Sequence, residues 1–188
     1  MNGTLIVISS PSGCGKDSLI NGLMKMPELN LTYSVSATTR LPRGDEQDGV
    51  HYYFKTREEF EELIEMDEFL EYTEYCGNYY GTLRRTVLTA LEAGKNVVLK
   101  IEVEGAANIC KQFQERLSIF ILPPSLEELK RRLRNRATDG EHAIARRIAR
   151  AEKELASAGT YNYQIINDDL QVAIEQTAEI IKKYIKIH

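Results

Sequence analysis

A strand, a loop of small residues and a helix open the chain and restrict its fold more than any other feature. The run TLIVIS (Thr4–Ser9) is short and continuously apolar, as expected for a strand buried on both faces of a parallel sheet. Turn residues of the segment SPSG follow, and KDSLINGLMKM then places apolar residues at helical spacing. This order of strand, loop and helix is the context that a phosphate-binding loop requires.

The loop departs from the phosphate-binding pattern G-x-x-x-x-G-K-[ST] at two positions. Ser10 stands in place of the first glycine, and Asp17 stands in place of the hydroxyl residue that binds magnesium. Gly13 and Gly15 still supply a permissive backbone, and Lys16 adds positive charge at the start of a helix whose N–H groups attract anions. A turn that binds nothing would have no need of Lys16, so the pattern favours a working phosphate loop.

Three later apolar runs repeat the first one. They are NVVLKI (Asn96–Ile101), SIFIL (Ser118–Leu122) and YQII (Tyr163–Ile166), and a helical pattern follows each of them. Strands that alternate with helices indicate right-handed β-α-β crossovers and an α/β fold with a parallel β-sheet.

Two segments interrupt this alternation. Residues 34–83 are polar and aromatic, and residues 126–156 form a charged helical hairpin rich in arginine. Helix starts with capping boxes are predicted at Thr56 with Glu59 and at Ser125 with Glu128. We therefore expect a core built from residues 1–33, 84–125 and 157–188, with the other two segments inserted into it.

Composition narrows the classes of function. The net charge of −4 argues against a surface built mainly for nucleic acid. Cys14, Cys76 and Cys110 are widely spaced and odd in number, so neither a disulfide framework nor a zinc site is encoded. The N-terminal segment lacks a basic region, and its apolar run is too short to span a membrane. We expect a cytoplasmic protein without a membrane or nucleic-acid partner, and the sequence implies no obligatory protein partner.

Four segments together resemble one family of enzymes. SSPSGCGKDSLI, SVSATTRLPRGDEQDGVHYYF, FLEYTEYCGNYYGT and YQIINDD occur in the same order and spacing as in guanylate kinases, and the resemblance runs from Thr4 to about Ile181. It implies a P-loop NTPase-like core with an inserted GMP-binding subdomain at 34–83 and an arginine-rich helical lid at 126–156. It also implies transfer of the γ-phosphoryl group of ATP to GMP, and to dGMP, with Mg²⁺ as cofactor, in purine nucleotide metabolism and GMP recycling.

For the donor site, the resemblance assigns residues from three parts of the chain. Lys16, Arg132, Arg136 and Arg147 are the expected catalytic residues. The expected ATP contacts are Ser10, Pro11, Ser12, Gly13, Cys14, Gly15, Lys16, Asp17, Ser18, Asn167 and Asp168. Oxygen ligands suit a hard cation, so Asp17 binds Mg²⁺ or leaves that role to Ser18.

For the acceptor site, the resemblance assigns two groups of residues. Arg40, Arg43, Tyr52 and Tyr80 are expected to hold the GMP phosphate, because guanidinium groups meet phosphate oxygens bidentately and phenols add donors. Ser36, Glu71, Thr82 and Glu102 are expected at the base. Guanine presents two adjacent N–H donors that a carboxylate accepts as a pair, whereas adenine would leave the carboxylate unpaired. Glu71 is therefore the expected specificity residue.

Lys100 departs from the family pattern, because many guanylate kinases carry an aspartate at this strand end to order magnesium water. Our hypothesis is that the metal-ordering carboxylate has moved to Asp17. Two alternatives remain open at this point. One is a non-catalytic guanylate-kinase-like module that binds phosphopeptides, and the other is a kinase of the same fold with another phosphorylated acceptor.

Overall fold

The computed structural model describes residues 3–75, 77–134 and 141–187, which form nine strands and seven α-helices. The strands are β1 (Leu5–Ser9), β2 (Leu31–Tyr33), β3 (Ala37–Thr38), β4 (Tyr53–Phe54), β5 (Phe69–Tyr75), β6 (Asn78–Leu83), β7 (Asn96–Lys100), β8 (Leu117–Leu122) and β9 (Tyr163–Ile166). The helices are α1 (Lys16–Leu23), α2 (Arg57–Glu65), α3 (Arg84–Glu92), α4 (Val103–Gln112), α5 (Leu126–Arg134), α6 (Glu141–Leu155) and α7 (Leu170–Ile187).

Five strands form a parallel sheet in the order β2-β7-β1-β8-β9, with helices on both faces. Ile6 and Ile8 of β1 pack into a core with α1, α5 and α7, while Leu5 and Val7 pack into a core with α3 and α4. Because successive strand residues point to opposite faces, an apolar run covered on both sides has to be continuous. The structure confirms the predicted α/β fold.

A second sheet of four strands, in the order β4-β3-β6-β5, lies between β2 and α3 along the chain. Its core contains the ring of Phe60 from α2, stacked on the ring of Phe69 with centroids 4.3 Å apart. The predicted capping box of α2 is in place, with Thr56 and Glu59 each bonding the other's backbone N–H. Strands β5 and β6 carry Glu71, Tyr80 and Thr82, three of the residues expected to contact the acceptor.

The predicted strands are present within a residue at their ends, but two details differ. The edge strand Leu31–Tyr33 was not predicted, because three half-buried residues give no clear apolar pattern. The capping box before α5 is only half formed: Glu128 N–H donates to Ser125 Oγ, whereas the Glu128 carboxylate accepts bonds from Arg131 and Arg132. None of the helices in the described ranges is long and apolar enough to span a bilayer.

Candidate active site

A cleft of about 310 Å³ lies where the carboxyl edge of the parallel sheet faces the second sheet. Open parallel sheets place ligands at this edge. The predicted site residues that line the cleft are Ser10, Pro11, Ser12, Gly13, Cys14, Gly15, Lys16, Asp17, Ser18, Ser36, Tyr52, Glu71, Tyr80, Glu102 and Arg147. The fold thus brings most of the donor and acceptor residues predicted from sequence into one cavity.

The loop between β1 and α1 has the backbone expected of an anion cradle. Gly13 has a φ of 91° and Gly15 a φ of 81°, both in the left-handed region that favours glycine. Gly15 is the N-cap of α1, so the N–H groups of the first helical turn open toward the cleft. Cys14 is fully buried beneath the loop, and burial raises the pKa of its thiol to about 12. Cys14 is therefore a neutral filler at physiological pH.

Lys16 begins α1 and is anchored to the residue that follows β7, the strand beside β1. Its Nζ donates to the carbonyl oxygen of Ile101 at 3.2 Å and lies 3.5 Å from Glu102 Oε1. Glu102 is the N-cap of α4, and its side chain is 47% exposed. The structure thus places Glu102, expected near the base, beside the phosphate-loop lysine.

Asp17 and Lys100 form an ion pair across the loop and the end of β7, with Oδ1 and Nζ 3.2 Å apart. The cation of Lys100 also lies 5.6 Å from the ring centroid of Tyr33. Asp17, which departs from the phosphate-loop pattern, and Lys100, which departs from the family pattern, are therefore partners in space.

Glu71 is a buried carboxylate that lines the same cleft. It is 7% exposed, and Thr82 Oγ1 donates a bond of 2.6 Å to its Oε1. Burial raises the pKa of Glu71 to about 7, while the hydrogen bonds from Thr82 act in the other direction. Gly105 of α4 packs against the second oxygen, Oε2, at a position where a Cβ atom would overlap the carboxylate. The carboxylate is thus held in place from two sides.

Two predicted phosphate ligands, Tyr52 and Tyr80, lie side by side with ring centroids 6.0 Å apart. The guanidinium of Arg40 lies 5.2 Å from the Tyr52 ring centroid and forms two hydrogen bonds, at 2.9 and 3.0 Å, with the carboxylate of Glu46. The backbone N–H of Arg43 donates to the same carboxylate. Glu46 therefore organises the loop that carries both arginines, a role that the sequence analysis missed.

The predicted lid arginines differ in their surroundings. Arg132 donates to Glu128 at 2.8 Å and to the carbonyl oxygen of Asn167 at 3.3 Å, while Arg147 lines the cleft. Arg136 lies outside the described residues. Arg150 lines the cleft as well, with its guanidinium 4.4 Å from the ring centroid of Tyr75 and 2.7 Å from Glu154.

Asn167 joins the end of β9 to the phosphate loop. Its Nδ2 donates to the carbonyl oxygen of Cys14 at 2.7 Å, and the side chain is buried. Asp168, the other residue predicted near adenine, is exposed. A hydrogen bond therefore connects the phosphate loop to the segment that contains the predicted adenine contacts.

A family comparison agrees with this geometry. The family model for guanylate kinase matches residues 2–184. The chain belongs to the guanylate kinase family. The guanylate kinase of Nostoc sp. is 52% identical over 93% of this chain and 87% of that protein. The guanylate kinase of Bacteroides thetaiotaomicron is 50% identical over 98% of this chain and 91% of that protein.

Structural comparison gives the same family. The crystal structure of guanylate kinase from Anaplasma phagocytophilum matches with a TM-score of 0.81 and 33% sequence identity, covering 98% of this chain and 87% of that one. As a guanylate kinase family member, the chain has the parallel sheet with flanking helices that its sequence predicted.

Sequence reasoning missed several residues of this guanylate kinase cleft. Tyr33, Tyr75 and Glu154 line it, and Gly105 packs against Glu71. Each belongs to a strand or helix whose pattern alone does not show which side faces the cleft. For Gly105, the glycine within a helical pattern was the available signal.

Proposed function

We propose that this protein transfers the γ-phosphoryl group of ATP to GMP, giving ADP and GDP, and that dGMP is also a substrate. One observation carries the proposal: a phosphate loop with Lys16 lines the same cleft as a buried Glu71, whose carboxylate accepts a hydrogen bond from Thr82. The first suits a nucleoside triphosphate and the second suits guanine. Membership of the guanylate kinase family supports this assignment.

Guanine recognition is assigned to Glu71, with Thr82, Ser36 and Glu102 around the base. The ionised carboxylate accepts the N1–H and N2–H donors of guanine. Thr82 donates to one of its oxygens and leaves lone pairs on both free for the base. Adenine lacks the matching donors, so its binding would leave a buried carboxylate unpaired.

Acceptor positioning is assigned to Arg40, Arg43, Tyr52 and Tyr80, which hold the phosphate of GMP. The attacking oxygen belongs to a phosphate that is already an anion at neutral pH. No general base is needed, and alignment with electrostatic stabilisation supplies the catalysis.

Donor binding is assigned to the phosphate loop, with Asn167 and Asp168 near adenine. Lys16 and the N–H groups of α1 hold the β- and γ-phosphates. Arg132 and Arg147, with Arg136, stabilise the charge on the equatorial oxygens of the transferred group and exclude water. In this scheme residues 34–83 form the acceptor subdomain, residues 126–156 form the lid, and the remainder is the core.

Magnesium is assigned to Asp17 and Ser18, whose carboxylate and hydroxyl oxygens fit a hard cation that also takes phosphate oxygens. When bound, the ion neutralises charge on the β- and γ-phosphates. Within the described ranges, no group of three or more His, Cys, Asp and Glu side chains is arranged to hold a metal by itself. The substrate phosphates therefore complete the proposed metal site. We also propose that the reaction takes place in the cytoplasm and serves purine nucleotide metabolism and GMP recycling.

A coupled assay of ADP release tests the proposal, with ATP and Mg²⁺ and with GMP, dGMP, AMP, UMP or CMP as acceptor. We expect rapid release with GMP and dGMP alone. Lys16→Met should abolish release, whereas Lys25→Met, at an exposed site two residues after the same helix ends, should not. Release with another acceptor would favour a kinase of different specificity, and GMP binding without release would favour the phosphopeptide-binding module. Neither alternative is favoured by the comparisons or by a phosphate loop that keeps Gly13, Gly15 and Lys16.

A further inference from the structure

Lys100 is the last residue of β7 and stands between the two halves of the cleft. It pairs in register with Ile8 of β1, one residue before β1 ends at the phosphate loop. Its cation contacts Asp17 at the start of α1 and lies 5.6 Å from the ring centroid of Tyr33, the last residue of the neighbouring strand β2. The charge of Lys100 also acts on Tyr52, lowering the pKa of a phenol whose pKa burial raises. Lys100 thus lines the cleft together with the phosphate loop and with Tyr52 and Tyr80, to which the GMP phosphate is assigned.

The contact between Lys100 and Asp17 is an exchangeable one. The side chain of Asp17 is 72% exposed, and an ion pair with so exposed a partner contributes little because water competes for both charges. Arg40, in contrast, is fixed by two hydrogen bonds to Glu46, and Lys16 is fixed by the carbonyl of Ile101. A phosphate dianion can therefore take over Lys100 with less rearrangement than either Arg40 or Lys16 would need.

The charge of Lys100 lies beside an opposite one, with Nζ 3.2 Å from Asp17 Oδ1 and the side chain only 26% exposed. A cation in this cleft offsets the repulsion between two approaching phosphate groups, which otherwise opposes their alignment.

Resting on the proposed function, we propose that Lys100 binds the phosphate of the acceptor nucleotide, exchanging its contact with Asp17 for a phosphate oxygen. The acceptor side is favoured because Tyr52, to which the GMP phosphate is assigned, lines the same cleft and feels the charge of Lys100, while Lys16 and the loop already serve the donor. Asp17 then holds the ammonium over the cleft in the empty enzyme and is released when GMP binds.

Calorimetric titration without magnesium tests the exchange, using GMP, guanosine and ADP as separate ligands. Lys100→Met should weaken GMP about tenfold to a hundredfold, the loss of one charged hydrogen bond, and leave guanosine and ADP unchanged. Lys100→Arg should keep most of the GMP affinity. Lys95→Met is the matched control, because Lys95 precedes the same strand at its other end and donates to Asn30. Lys100→Gln serves as a second neutral variant should the methionine variant fail to fold.

A double-mutant cycle separates phosphate binding from a structural ion pair. In an Asp17→Asn background, Lys100→Met should still weaken GMP, because the ammonium acts on the ligand. If the double variant Asp17→Asn/Lys100→Met binds GMP as tightly as the single variant Asp17→Asn, the proposal is overturned. A loss of ADP affinity that exceeds the loss of GMP affinity also overturns it.

The proposed function is checked on the same wild-type preparation. Suppose that the wild type releases ADP with GMP and that Lys100→Met binds GMP as tightly as the wild type. The role of Lys100 is then overturned, and the proposed function stands. Absence of both GMP binding and ADP release from the wild type overturns the proposed function, and the role of Lys100 with it.

Discussion

Thr82 Oγ1 donates a hydrogen bond of 2.6 Å to Glu71 Oε1, between neighbouring strands of the second sheet. Glu71 is almost completely buried, and burial raises the pKa of its carboxyl to about 7. The donated bond favours the ionised form and limits this rise. Near neutral pH, the free protein therefore contains both the protonated and the ionised form of the proposed specificity residue.

We expect guanosine affinity to increase with pH up to about pH 7 and then to level off. The two N–H donors of guanine need the ionised carboxylate, so below the pKa of Glu71 binding should weaken by about tenfold per pH unit. Guanosine is used because it has no phosphate that titrates in this range. Calorimetry from pH 5.5 to 8 measures the effect, and Glu71→Gln should bind weakly without this pH dependence. An affinity of the wild type that does not change with pH would contradict the assignment.

Glu71 should also make the stability of the free protein depend on pH. Its pKa rises from 4.5 to about 7 on folding, so its stabilising contribution is complete below pH 4.5 and is lost as pH rises through about 7. Glu71→Gln removes this loss. Its free energy of unfolding, relative to the wild type, should rise by on the order of 3 kcal/mol between pH 4.5 and 8. Urea denaturation at several pH values measures the difference, and a constant difference would refute the prediction.

Gly105→Ala should harm both stability and guanine binding. Alanine in a helix interior is normally favoured over glycine by about 1 kcal/mol, but here the new Cβ would overlap Glu71 Oε2. We expect a net loss of about 1–3 kcal/mol in the free energy of unfolding and weaker guanosine binding. Gly159→Ala is the control, because no heavy atom lies within 4 Å of its added Cβ. Equal stability of the two variants would show that Glu71 moves aside freely.

Asn167→Ala should destabilise the protein and weaken ATP binding. It removes the buried bond from Asn167 Nδ2 to the carbonyl oxygen of Cys14, which ties the phosphate loop to β9. The unpaired carbonyl should cost about 1–3 kcal/mol. Thermal unfolding and titration with a non-hydrolysable ATP analogue measure the two effects. Gln171→Ala is the matched control, since that amide bonds the exposed Glu175 on α7. ATP affinity equal to that of the control would rule out this role.

Local signals predicted the core of the fold because each depends on neighbouring residues. The apolar runs of β1, β7 and β8 were recognisable since both sheet faces are covered, and the capping box at Thr56 was recognisable from its spacing. The short run of β9 was recognisable from its composition, although three of its four residues are exposed. The edge strand β2 was not, because its three residues are only half-buried. The division of the chain into core, insertion and lid, and the assigned site roles, stay predictions.

By itself, the sequence determined the α/β class, the strand–loop–helix with Lys16 and the family to which the chain belongs. Only the tertiary structure decided which of the polar residues meet: that Glu102 lies beside Lys16, that Glu46 fixes Arg40, and that Lys100 pairs with Asp17. The physical reason is the separation along the chain. A pattern reports which side chains share a face of one element, whereas a contact between distant residues depends on how strands order in a sheet and how helices pack over it.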